Sequence, residues 1–263
     1  MTVVEAGAPA TAPRPPSWEA PLRSAVRVLA VPVVTVLIWY PLSWTVFVVP
    51  APQDTVRALI ANLGSSEYRA DFLVTLEKTM LAFVIASAVG LAVGTVLGLV
   101  KPLRDFLQPL VLIVNGIPKI VLYPVLLIIF GLNAASQVTM GTIFGTLPVL
   151  VNVMAALVSM PPVYQKVART LGTGPLRAMV HVYLPAVAPM LLVALQLGFG
   201  LSVLGVVYAE LIASNNGLGQ RLIESYSVGA YPAMAATILA ILAIALGGTG
   251  TFRWLQRLVG RHR

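Results

Sequence analysis

The chain has 263 residues, 58% of them apolar and only 10% charged, with a net charge of +8. Soluble domains average about 25% charged residues, so this composition excludes a water-soluble globule. A mean hydropathy of +0.91 suits lipid. With no cysteine, neither a disulfide framework nor a thiolate metal site is possible, and His181 and His262 lack partners at ligand spacing, so no metal site is expected.

Residues 1–25 are rich in Pro, Ala and Thr and read as a disordered cytoplasmic tail, not a cleaved leader. Crossing roughly 30 Å of hydrocarbon takes about 20 apolar residues. Six runs meet that length, at about 26–48, 72–100, 107–132, 137–159, 182–212 and 231–254. The polar stretch 50–71, with Asp54, Arg57, Glu67, Arg69 and Asp71, is predicted as a short interfacial helix and turn. In the second run Ala86, Gly90, Gly94 and Gly98 recur every fourth residue, and Gly141 with Gly145 repeats the spacing in the fourth. Such small-residue ridges let helix backbones approach closely in lipid. Pro118, Pro124, Pro148 and Pro189 lie at membrane depth, where breaks in the helix are tolerated if they face protein or a wet cavity.

Lysine and arginine set the orientation. Twelve fall in the tail and in alternate segments between runs, against three (Arg57, Arg69, Arg221) in the others, with Lys78 and Lys119 inside runs. This positive-inside bias places both termini, and the segment 160–181, in the cytoplasm. The spread of the charge over short segments also argues against nucleic-acid binding.

Within 160–181, residues 162–171 can form a short helix with Val163, Val167 and Leu171 on one face. Gly172-Thr173-Gly174-Pro175 breaks it, and Pro175 can open the next helix. A lysine near mid-bilayer costs roughly 2.5–3.5 kcal/mol on insertion scales, so Lys119 should face protein or water. Asn115 lies one turn before it, next to the break at Pro118, and Asn152 follows Pro148 by one turn. Gln196, Tyr208 and Glu210 share the fifth run. A pathway lined by Asn115, Pro118, Lys119, Asn152, Tyr208 and Glu210 suits a small polar, anionic solute. The alternatives are a salt bridge from Lys119 to Glu77 or Glu210, interhelical hydrogen bonds for Asn152 and Gln196, and a structural or gate-rim role for Glu210.

The sequence Lys166-Val167-Ala168-Arg169-Thr170-Leu171-Gly172, followed by Val182-Tyr183-Leu184-Pro185, resembles the coupling loop of ABC-importer permeases. That pattern is Glu-Ala-Ala, three residues, Gly, nine residues, Ile, one residue, Leu-Pro. Ala168, Gly172, Leu184 and Pro185 match, Val182 stands for Ile, and Lys166 stands where Glu is usual. Further landmarks resemble the sulfonate, taurine, nitrate and bicarbonate branch. They are Thr75-Leu76-Glu77-Lys78 with Phe83, then Gly116-Ile117-Pro118-Lys119, Tyr123-Pro124 and Phe130-Gly131, and finally Ala209-Glu210 with Gly217-Leu218-Gly219.

The resemblance covers about 190 residues, from Thr75 onward, and implies an all-α, six-helix type I importer permease in a bacterial inner membrane. In that reading residues 26–263 form the permease domain, with a coupling helix at about 161–178. It further implies a second copy of the chain, two cytoplasmic ATPase subunits and an external solute-binding protein that docks on Asn215, Asn216, Gly217, Leu218 and Gly219. No Gly-x4-Gly-Lys-Ser/Thr motif occurs, so no catalytic residue is expected here, and ATP and Mg would belong to the separate ATPase. The competing class is an ion-gradient-driven secondary transporter or channel. It would call for inverted repeats with paired broken helices, and no convincing repeat is visible.

Overall fold

A computed structural model describes residues 19–172 and 174–260 and shows helices and connecting turns, with no strand among them. The elements are α1 (Glu19–Thr45), α2 (Pro52–Gly64), α3 (Ser66–Leu99), α4 (Lys101–Gly116), a 3₁₀ turn (Lys119–Leu122), α5 (Tyr123–Phe130) and α6 (Ala134–Val158). After these come α7 (Pro162–Thr170), α8 (Pro175–Ala178), a π-helical turn (Met179–Tyr183), α9 (Leu184–Ile212), α10 (Leu218–Ser227) and α11 (Tyr231–Gly260). The described residues fall into two compact units, divided between Asp54 and Thr55. Of the expected tail, residues 1–18 lie outside the described residues, as do Thr173 and His262, whereas 19–25 are the first turns of α1. In the first unit Trp39 Nε1 donates to the Pro50 carbonyl at 2.9 Å, and Tyr40 meets the edge of Trp44 at 5.3 Å.

Among the described residues, four helical segments are long and apolar enough to cross a bilayer: Ser66–Leu99, Ala134–Val158, Met179–Ile212 and Tyr231–Leu258. The run expected at 107–132 is not one straight helix. Lys101–Gly116 and Lys119–Phe130 meet at 86°, and count as a fifth span only if taken as one broken unit. The cause is local: Pro118 cannot donate a backbone hydrogen bond, and it forces the preceding Ile117 into extended backbone, with ψ 133°. Helix α1 runs without a break over Glu19–Thr45, through most of the first expected run. The polar stretch 50–71 also divides differently from expectation, because Glu67, Arg69 and Asp71 already belong to α3, whose N-cap is Ser65.

The small-residue ridge sets the helix register in the second unit. A Cβ on Gly90 would lie 2.7 Å from Val149 Cβ, one on Gly94 would lie 2.7 Å from the Leu150 carbonyl and 2.9 Å from Val153, and one on Gly98 would lie 2.8 Å from Leu157. Gly141 faces Ala82, and Gly145 faces Ala86. Each α6 residue follows its α3 partner at one fixed sequence offset, so α3 and α6 run parallel. On α9 the partners fall as α6 rises: Gly141 meets Val206, Gly145 meets Ser202, and Val149 meets Gly198. Helix α9 is therefore antiparallel. Lipid tails are as apolar as leucine, so this close van der Waals fit, more than a hydrophobic drive, holds the three helices together. One end of the bundle carries α7 and α8, and the far end carries the α9–α10 loop.

Candidate functional site

Three groups of residues stand out, and the first is the broken span. Tyr123 is fully buried, and its hydroxyl donates to the Ala213 carbonyl at 3.1 Å, pinning α5 against the far end of α9. The turn before it holds Lys119 half-buried, with Nζ 3.2 Å from the Asn115 carbonyl and 3.4 Å from Asn115 Oδ1. The same ammonium lies 6.0 Å from the Phe144 ring centroid, and Phe144 stands 6.3 Å from Tyr208. Lys119, with Asn115 bonded to it, and Tyr208 therefore flank Phe144, a residue the sequence did not single out. Phe144 sits about 15 Å in from the start of α6 at a rise of 1.5 Å per residue. Pro118 marks the break beside them and is exposed.

Asn152 is elsewhere. Its side chain donates to the Pro148 carbonyl at 2.8 Å and borders a separate cleft of about 370 Å³ with Ser159, Met190 and Val193. Gln196 accepts from Gln256 Nε2 at 3.0 Å, an interhelical bond between α9 and α11.

Glu210 does not face the broken span. It is fully buried and pairs with Lys78 Nζ at 3.0 Å. Thr75 Oγ1 donates to it at 2.8 Å, and the Gly219 N–H donates at 3.0 Å. Lys78 also donates to Asn216 Oδ1 at 2.9 Å, Leu218 N–H donates to Thr75 Oγ1 at 2.8 Å, and Gly217 N–H donates to Asp71 Oδ1 at 2.7 Å. Gly217 has φ +102°, and a Cβ there would overlap the Glu210 carboxylate, so only glycine fits. Arg221 closes the ring, with Nε 2.5 Å from Asp71 Oδ2 and a nitrogen 3.4 Å from Glu67. Its hydrogen bond to Asp71 raises the guanidinium pKa above its ordinary value.

The loop expected to dock a binding protein is thus tied to α3 and α9 through its own backbone amides. Beside it a cleft of about 330 Å³ is lined by Glu77, Lys78, Asn133, Gln137, Asn215 and Asn216. Sequence reading missed Asp71, Thr75, Lys78 and Arg221 as partners. The signal available was that Thr75-Leu76-Glu77-Lys78 and Ala209-Glu210…Gly217-Leu218-Gly219 both stand out as motifs, and the structure puts them in contact.

The third group is at the opposite end. Helix α7 ends when Leu171 N–H bonds the Val167 carbonyl at 3.0 Å and Gly172 turns with φ +59°, a left-handed residue just past the helix end. Ala168 is buried, and Tyr164 packs with Met179 and Tyr183 on the core around Met160 and Val187. Lys166, Val163, Val167 and Leu171 are exposed. After Pro175 opens α8, the chain passes into the π turn, where Leu184 N–H closes on the Met179 carbonyl. Pro185 has no N–H to give the His181 carbonyl, which removes an α-register bond at this junction. Val182 lies within the π turn, and Leu184-Pro185 begin α9.

A parallel α3–α6 pair, an antiparallel α9, a sharply broken span and a helical elbow at one end together define a multi-pass helical membrane bundle. Residues 86–263 match the family of binding-protein-dependent transport system inner membrane components, and the chain belongs to that family. It is similar to the nitrate import permease protein NrtB of Synechococcus elongatus, 27% identical over 208 residues, covering 78% of this chain and 75% of that one. It is likewise similar to the taurine transport system permease protein TauC of Escherichia coli, 27% identical over 240 residues with 87% and 86% covered. Among solved structures, the inward-facing MetNI methionine ABC transporter superposes with a TM-score of 0.65 at 20% identity, covering 72% of this chain and 94% of the other. The protein is an importer permease of the inner membrane.

Proposed function

We propose that this permease passes a small polar anion, delivered by an external binding protein, through a pathway shared with a second copy of the chain. Each copy would rest on a cytoplasmic ATPase through α7 and α8. The observation that carries the cargo class is Lys119. It stands at the break of a span beside Asn115 and Phe144, and among the described residues its ammonium has only Asn115 oxygens as hydrogen-bond partners. A cation held at membrane depth without an acid is a site for a passing counter-charge. Relatives named for nitrate, taurine and bicarbonate import fit that chemistry. Neither Glu77 nor Glu210 forms an ion pair with Lys119 among the described residues, and Glu210 is held by Lys78.

Lys119→Ala is expected to lower uptake of nitrate, taurine or bicarbonate into proteoliposomes by about tenfold, the equivalent of about 1.4 kcal/mol, with assembly and thermal stability unchanged. Full uptake of the anion by this variant would remove Lys119 from the pathway. A loss of stability instead would make it structural.

The elbow at Gly172 gives a second expectation. A Cβ there meets nothing within 4 Å, so the main effect of Gly172→Leu is to place a bulky residue at φ +59°, a strain of about 1–2 kcal/mol. The subunit should still insert, while the α7 elbow shifts and ATP hydrolysis proceeds without proportionate transport. An unchanged ratio of solute moved to ATP hydrolysed would show the elbow to be a passive connector.

A further inference from the structure

The cleft beside the α9–α10 loop holds polar groups that the network around Glu210 leaves unused. Glu77, Lys78, Gln137 and Asn215 all line it, and its volume is about 330 Å³. Gln137 is only 3% exposed. Its Nε2 donates to the Ala213 carbonyl at 3.3 Å and to Ser214 Oγ at 3.0 Å, but its buried Oε1 accepts from no donor among the described residues. Turning the amide over would not cure this, because the Ala213 carbonyl needs the nitrogen. Lys78, its side chain 7% exposed, has three N–H donors and directs two of them to Glu210 and Asn216. Glu77 precedes Lys78 on α3, and among the described residues its carboxylate has neither an ion pair nor a hydrogen bond.

We propose that this cleft binds a small zwitterion, its ammonium on the Glu77 carboxylate and Gln137 Oε1, its acid group on the third N–H of Lys78 and the Asn215 amide. A buried amide oxygen without a donor is costly, and so is an acid within a span that lacks a cation. One ammonium answers both. A plain anion would meet like charge at Glu77, and a plain cation would leave the spare Lys78 donor unmet. The volume lies at the bottom of the usual range for ligand sites, about 300–1,000 Å³, so the occupant is small. An aminosulfonate or a β-amino acid in solution has this chemistry. The headgroup of phosphatidylethanolamine shares it, since it too joins an ammonium to an anion.

The test is equilibrium binding of radiolabelled taurine and β-alanine to the full chain in phosphatidylglycerol nanodiscs. Saturable binding of at least one is expected. N-acetyltaurine, which lacks the ammonium, and ethylamine, which lacks the acid, should compete at least about tenfold more weakly. Glu77 is exposed, so Glu77→Gln should fold normally and weaken binding by about tenfold. Exchanging part of the phosphatidylglycerol for phosphatidylethanolamine separates the two sources. Competition by that lipid assigns the site to the headgroup, and unchanged affinity assigns it to the free solute.

No saturable binding of either zwitterion at about 10 mM, equal binding of N-acetyltaurine, or full affinity in Glu77→Gln would each overturn the site. Uptake is not read in this experiment, so any of those results leaves the Lys119 pathway standing.

Discussion

Lys78→Met is expected to destabilise the protein by about 3–5 kcal/mol, because it leaves Glu210 as a buried carboxylate without its cation. The pair is 3.0 Å apart, with side-chain exposures of 7% for Lys78 and 0% for Glu210. Thr75 and the Gly219 amide would still donate to Glu210, but neither carries charge. Asn216 would also lose its bond from the ammonium, so the α9–α10 loop should loosen with it. Thermal unfolding in detergent gives the measurement, with exposed Lys101→Met as the control, expected within about 0.5 kcal/mol of the native chain. Adding Glu210→Gln to Lys78→Met should recover much of the loss, since an amide needs no counter-charge and can still accept from Thr75 and Gly219. A Lys78→Met change no worse than Lys101→Met would show that the pair is not a closed buried unit.

Gly141→Ala should be clearly destabilising, because the residue is gripped from two sides. A Cβ there would lie 2.6 Å from Val206 Cγ2 on α9, 2.9 Å from Ala82 Cβ on α3 and 3.1 Å from the Ser202 carbonyl. Relief on one side tightens the other, so α3, α6 and α9 must move apart together. Overpacking of this kind costs about 1–3 kcal/mol, more than the helix-propensity gain of about 1 kcal/mol on leaving glycine. Gly200 on α9 is the matched control. Its Cβ would meet nothing within 4 Å, so Gly200→Ala should be neutral or stabilising by up to about 1 kcal/mol. Equal melting temperatures for the two alanine variants would mean the three-helix crossing is looser than these distances state.

How much of this was legible beforehand differs from element to element. Gly90, Gly94 and Gly98 were visible as a ridge because small-residue spacing is written locally, but nothing in the sequence said that α6, in parallel, would receive it. The α7 helix and the turn at Gly172 could be read from a short amphipathic run ended by glycines and a proline. Pro118 marked a break, yet an 86° bend depends on how Tyr123 and Ala213 hold the second half in place. The run at 107–132 looked like one straight span because hydropathy counts apolar residues without regard to where the backbone turns.

The sequence by itself determined that the chain lives in lipid, where its long apolar segments lie, which backbone positions can bend, and that one polar basic segment interrupts them. These are local properties: each residue's cost in hydrocarbon and each backbone's allowed angles depend little on distant neighbours. Only the tertiary structure decided that Glu210 belongs with Lys78, 132 positions away, and that Lys119 stands beside Phe144 and Tyr208. A lysine in a span must find some polar partner, but the cost of leaving it unpaired is the same whichever acid answers. The choice follows from helix register, and register is fixed by the interlocking of Gly141, Gly145, Ala82, Ala86 and Ser202, a fit that exists only once three helices have met.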